Sequence, residues 1–261
     1  MEALSAHVSW SAVKVAVIIP ARNEESRIGA VVTDALRALP GARILVVDDC
    51  SRDATAACAR GAGADVLSLP RHAGYAGALH AGYREVLRDP VHAVLQMDGD
   101  GQHRASDLPR LVEALQGTDI VLGSRFLGPS PGYRIPATRR AGMAACRWMA
   151  AAVGGLDLTD PTSGLRAMAP AAAVRIATDG FPAGLTESSM LIHMHRVGFT
   201  IREIPVRMRA SAGGSMHAGL AGGAHLLRIA WAVMGPAGRR SHPSEAPRPS
   251  PVEHTVPGNA L

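Results

Sequence analysis

A chain of 261 residues, 47% apolar and 3% aromatic, fits one large α/β domain or two small ones, with enough apolar material for a sizeable core. Its 27 basic and 22 acidic residues leave a net charge of +5, which favours anionic partners, yet no Lys or Arg run resembles a nucleic-acid-binding tail. Cys50, Cys58 and Cys146 lack metal-ligand spacing, no signal-peptide pattern opens the chain, and no apolar run is long enough to span a bilayer. The expectation is a cytoplasmic protein without a transmembrane helix, soluble or peripheral on the inner face of a membrane.

Taken in order, residues 15–20 (VAVIIP) read as a buried strand of the parallel-sheet kind. Asn23 is a predicted N-cap for a helix whose apolar residues recur at Ile28, Val31, Val32, Ala35, Leu36 and Leu39. A strand at 44–47 ends in Asp48-Asp49, and a helix follows over 54–60. The alternation continues with a strand at 65–69, helix 77–87, strand 93–97, helix 107–115 and strand 120–123. That order predicts βαβ units and a mainly parallel sheet flanked by helices. Ligands gather at the carboxyl ends of such strands, and here those ends carry Pro20 to Glu24, Asp48 to Asp53, Asp98 to Gln102, and Ser124-Arg125.

Beyond Arg125 the regularity stops. Residues 137–153 suggest one amphipathic helix opening with Arg139 and Arg140, a start that is also simply a solvated helix end. A turn-rich loop at 157–164 leads into Leu165-Arg166-Ala167-Met168. A helix at 186–197 carries Glu187 in its first turn, and 200–208 reads as a strand. Residues 220–234 form a core helix or one lying on a bilayer surface, the latter preferred. Six prolines from Pro236 onward mark 236–261 as a disordered tail, leaving 1–235 as a single domain.

The chemistry concentrates at Val94-Leu95-Gln96-Met97-Asp98-Gly99-Asp100-Gly101-Gln102-His103, a strand running into two carboxylates on a glycine-rich turn. On an extended strand Asp98 and Asp100 would point the same way. Two such acids repel unless a cation lies between them, and hard oxygens suit Mg²⁺ or Mn²⁺ bridging to a phosphate. The bland alternative is a solvated turn after a core strand; for Asp48-Asp49 it is a helix-capping turn, since Ser51 and Asp53 cap well. His103 is either a group supporting the acids or a structural one. His193 and His195 face different ways on their helix, so they make no metal site. Ser163 lacks a G-x-S-x-G elbow, and neither a G-x-G-x-x-G opening the first helix nor a G-x-x-x-x-G-K-[ST] is present. Gly74-Tyr75-Ala76-Gly77 is weak by itself.

Seven segments occur in one order: VAVIIPARNEE, ILVVDDCSRDAT, GYAGALHAGY, QMDGDGQH, LGSRF, DPTSGLRA and GFTIREIPVRM. Together they resemble the family-two inverting glycosyltransferases, and among them the dolichol- or polyprenol-phosphate sugar synthases. The resemblance implies a GT-A fold, a GDP- or UDP-linked sugar donor and a divalent metal. By position it implies that Pro20, Arg22, Glu24, Val47 and Asp49, with Asp98, hold the donor. It also implies that Asp98, Asp100 and Gln102 hold Mg²⁺ or Mn²⁺ and the diphosphate. Arg22 stands where relatives often have an aromatic, and Arg104 where they usually have an acid. Arg125 and Arg139 match residues that meet an acceptor phosphate, which with Asp100 makes them the candidate catalytic groups.

If the acceptor is a hydroxyl, a general base is needed, with Asp157, Asp160 and Glu187 as candidates. If it is a lipid phosphate, the nucleophile is already an anion and needs cations instead; Arg125, at the boundary between a donor half near 13–125 and an acceptor half near 126–235, and Arg139 and Arg166 beyond it supply them. The sequence favours a polyprenyl phosphate at a membrane surface. The rivals are the same fold acting on a soluble saccharide or small-molecule hydroxyl, a non-catalytic nucleotide-sugar-binding protein, and, more remotely, a nucleotidyltransferase.

Overall fold

The computed structural model describes residues 14–128, 155–179 and 187–209, together with positions 144, 147, 148, 151 and 152. Arg139, Arg140, the 220–234 segment and the proline-rich tail lie outside the described residues, as does most of the helix expected at 137–153.

Seven strands form one sheet: β1 (Val15–Ala21), β2 (Arg43–Asp48), β3 (Asp65–Ser68), β4 (Ala93–Gln96), β5 (Ile120–Ser124), β6 (Arg166–Met168) and β7 (Ile201–Pro205). Their order is β3-β2-β1-β4-β6-β5-β7. The helices among the described residues are α1 (Ile28–Ala38), α2 (Thr55–Gly61), α3 (Gly74–Val86), α4 (Leu108–Glu113), α5 (Pro170–Asp179) and α6 (Glu187–Arg196). The period-two alternation of the strands decides which residues face which layer. Val15, Val17 and Ile19 pack with Val31, Val32 and Ala35 of α1 and Leu108 and Leu111 of α4. Ala16 and Ile18 pack on the other face with Leu79, Tyr83 and Val86 of α3 and Ile176 of α5. Both faces of the sheet are therefore covered, which is why the strands read as unbroken apolar runs.

β1 pairs in parallel with β2 and β4, β2 with β3, and β5 with β7, as the alternation predicts. The departure lies between β4 and β5. They are not neighbours, because β6 inserts between them antiparallel to both. Neither β6 nor α5 was expected from the sequence: three residues are too few to show a period, and Arg166 interrupts the apolar run. The strand expected over 200–208 ends at Pro205, though Val206 still bonds Ser124 and His103 makes an isolated bridge to Met208. Among the described residues no helix is long and apolar enough to cross a membrane.

Candidate active site

The loops after β1 and β2 are stapled together. Asn23 accepts a bond from the Arg52 amide through Oδ1 (2.9 Å), and its own amide donates to Ser51 Oγ (3.0 Å). The Glu24 amide donates to Thr55 Oγ1 (2.8 Å). Asn23 (φ 55°) and Cys50 (φ 59°) both adopt the left-handed region there, a strain held in place by these cross-bonds. The expected N-cap role of Asn23 is corrected: α1 starts at Ile28 with Arg27 at its N-cap, and Asn23 ties two loops instead.

Along this seam Pro20 and Val47 are buried register partners, Asp49 is 4% exposed, and Glu24 is buried with Arg27 Nη1 on its Oε2 (2.8 Å). Asp49 Oδ1 accepts the Ala73 amide (2.6 Å) and Oδ2 meets His72 Nδ1 (2.7 Å). Arg22 Nη1 donates to His72 Nε2 (2.9 Å), so the imidazole proton sits on Nδ1 and is given to Asp49. The result is a chain Arg22–His72–Asp49 at the carboxyl ends of β1 and β2. His72, which the sequence reading missed, is its middle link.

β4 stops at Gln96, so the two acids sit beyond the strand in a turn, and the expectation of parallel side chains on an extended strand is corrected. The Asp98-Gly99-Asp100 turn folds onto the end of β1, where a Cβ on Gly99 would lie 3.1 Å from the Pro20 carbonyl oxygen. Gly101 has φ +75°, the left-handed value that favours glycine. Asp98 is half-buried: Tyr75 donates to Oδ1 (2.7 Å), and His103 Nε2 lies 3.1 Å from Oδ2. Burial alone would raise the Asp98 carboxyl. The His103 hydrogen bond and charge, the Tyr75 hydroxyl and the Arg166 guanidinium hold it below the usual carboxylate range. Asp100 is half-buried as well, with Oδ1 accepting the Gln102 amide (2.9 Å) and Oδ2 the Gln102 side-chain amide (2.5 Å).

On the other side, Arg125 clamps Asp160 in a bidentate pair, Nε to Oδ2 and Nη2 to Oδ1, both 2.6 Å. Arg125 is 7% exposed and Asp160 fully buried. Glu203 of β7 receives the amides of Thr159 and Asp160 at 2.7 Å each, which fixes the loop carrying the acid. Asp160 thus holds Arg125 and has no geometry for taking a substrate proton. Asp157 is exposed, and Glu187 opens α6. Arg166 is fully buried in β6 with Nε donating to the Ser163 carbonyl (2.9 Å). In that position its charge serves Asp98, and it is shielded from any acceptor. Ser163 Oγ donates to the Gly123 carbonyl (2.7 Å), a structural hydroxyl as its missing elbow suggested.

A model of the family described as Glycosyl transferase family 2 matches residues 16–169, more than half of the chain and all of the site just described up to β6. The chain belongs to glycosyltransferase family two. This glycosyltransferase is 30% identical over 230 residues to the undecaprenyl-phosphate mannosyltransferase of Micrococcus luteus, covering 84% of the chain and 94% of that relative. It is 32% identical over 163 residues to the polyprenol monophosphomannose synthase of Mycolicibacterium smegmatis, covering 58% of the chain and 60% of the relative. Its fold is that of the GT-A transferases. The glucosyl-3-phosphoglycerate synthase of Mycobacterium tuberculosis, solved with Mn²⁺, uridine diphosphate and glucosyl-3-phosphoglycerate, superposes with a TM-score of 0.64. That match has 21% identity and covers 85% of this chain and 80% of that one.

The donor chemistry of the turn fits a hard divalent cation. Among the described residues no group of three or more His, Cys, Asp or Glu side chains is gathered to cage a metal. Mg²⁺-type ions are commonly held by one or two carboxylates plus substrate phosphates, and two half-buried acids in one turn supply that share. Each carboxylate oxygen has two lone pairs, so the bonds from Tyr75, His103 and Gln102 leave acceptor capacity.

Proposed function

We propose that this glycosyltransferase moves a sugar from a nucleoside-diphosphate donor to a polyprenyl phosphate, with inversion at the anomeric carbon. The observation that carries the acceptor class is the likeness to an undecaprenyl-phosphate mannosyltransferase over 94% of that relative's length. The engagement of Asp160 supports it. Asp160 is spent on Arg125, and an anionic phosphate oxygen needs no base to attack.

In this reading Arg22, Glu24 and Asp49, with Pro20 and Val47 beneath them, hold the nucleoside at the seam of β1 and β2. Asp98, Asp100 and Gln102 hold Mg²⁺ or Mn²⁺, which when bound supplies positive charge against the departing diphosphate. Arg125, buried in its pair with Asp160, holds the loop after β5 in place, and Arg139 meets the acceptor phosphate. Its oxygen forms the new bond to the anomeric carbon while the bond to the nucleoside diphosphate breaks, and the electron pair leaves with the diphosphate.

The test is a panel of UDP- and GDP-sugars with Mn²⁺ or Mg²⁺ and a short polyprenyl phosphate, read by mass spectrometry. The expected product is one sugar on the lipid phosphate. Transfer to a phosphate-free saccharide with the lipid left untouched would overturn the acceptor, and transfer unchanged by chelation would overturn the metal.

A further inference from the structure

The two acids of the turn are held very differently. Gln96, the last residue of β4, is fully buried between β1 and β6, opposite Ile18 and Arg166. A buried amide must be bonded on both sides. Its Oε1 accepts from the Tyr83 hydroxyl (3.1 Å), and its Nε2 donates to the Tyr75 hydroxyl (3.0 Å). With its oxygen accepting from Gln96, the one proton of Tyr75 is directed at Asp98 Oδ1 (2.7 Å). On the opposite oxygen His103, its side chain 2% exposed, closes the grip at 3.1 Å. His103 is fixed in turn by its bridge to Met208 and by the bond from the Arg209 amide to the Gln102 carbonyl (2.8 Å). Gly164 fills the remaining side: a Cβ there would overlap the Asp98 carboxylate, with Oδ1 at 2.7 Å. Asp100, by contrast, is bonded by Gln102 two residues away.

We infer that Tyr75 and His103 are positioning residues that make Asp98 the fixed half of the cation and diphosphate site, against a locally tethered Asp100. Support comes from three separate elements, α3, the loop after β4 and the stretch before β6, so the carboxylate direction is set before any ligand arrives. This inference rests on the reading of Asp98 as a cation-holding residue. Partners of ligating groups commonly change metal affinity by about 10- to 100-fold when removed.

The test is calorimetric titration of Mn²⁺ into the full chain with UDP or GDP present, paired with transfer kinetics and a thermal melt. Tyr75→Phe removes the donor at nearly constant volume, and the Mn²⁺ dissociation constant is expected to rise about tenfold or more. His103→Leu is expected to do the same, and His103→Gln, which keeps an N–H donor, to recover most of the affinity. Tyr83→Phe cuts the network at the end away from Asp98; it is expected to lower the melting temperature while leaving Mn²⁺ affinity within about twofold. The inference is overturned if Tyr75→Phe and His103→Leu bind Mn²⁺ as tightly as the parent, or if Tyr83→Phe weakens binding as much as Tyr75→Phe does. If the parent protein itself binds no Mn²⁺ with either nucleotide, the metal reading fails and this inference falls with it, an outcome distinct from parental binding in the variants.

Discussion

Arg125 grips Asp160 through two parallel bonds of 2.6 Å, and both side chains are out of solvent. Breaking one partner of such a pair leaves an uncompensated buried charge, which outweighs the modest net value of the pair itself. Asp160→Asn is therefore expected to cost about 3 kcal/mol, a fall of roughly 6–12 °C in Tm for a domain of this size. Arg125→Met with Asp160→Leu should recover much of that loss. Scanning calorimetry of the three proteins decides it, and a single variant that melts with the parent would show the pair to be idle.

Gly164 is required by space. Its Cβ-free flank lies against Asp98, so Gly164→Ala must push the carboxylate or the loop. A displacement approaching 1 Å at a reacting constellation costs about a hundredfold in rate, and transfer by Gly164→Ala should fall by that order with the far-ultraviolet circular dichroism unchanged. Full activity would mean that the carboxylate has room this structure does not show.

His72 links Arg22 to Asp49. In His72→Ala both lose a charge-assisted bond, and the expected loss is confined to donor binding. KM for the nucleotide sugar should rise roughly tenfold, the size of one such bond, with kcat nearly constant. Steady-state kinetics with varied donor measures it; a fall in kcat alone would remove this chain from the donor site.

Asp179 gives the pH dependence. Burial would raise its carboxyl, but hydrogen bonds from His193 (2.7 Å) and Arg175 (2.6 Å) outweigh that and lower it. A carboxyl depressed in the folded state contributes stability above its unfolded value, roughly pH 4, and loses it as pH falls through the depressed one. The group is partly exposed, so the contribution is under about 1 kcal/mol. Asp179→Asn should flatten the acid limb of Tm against pH while leaving Tm near neutrality lowered by a degree or two. An acid limb of parental steepness would assign it to other carboxylates.

The sequence by itself determined what is repetitive and local. Runs such as Val15 to Ile19 and Ile44 to Val47 carry the period that makes strands, and the helices over 28–38 and 55–61 carry the period that buries one face. Acids and glycines at the strand ends marked the turn after β4, because such residues in such a place have few other uses. Only the tertiary structure decided which groups bond Asp98 or act on its charge. Tyr75 is 23 residues away, and Arg166 comes from a three-residue strand paired antiparallel in an otherwise mostly parallel sheet. It likewise turned Asp160 from a candidate base into the partner of Arg125, 35 residues apart. A period reports the face a residue turns toward, whereas the partner met on that face depends on strand pairing at long range, which local pattern does not encode.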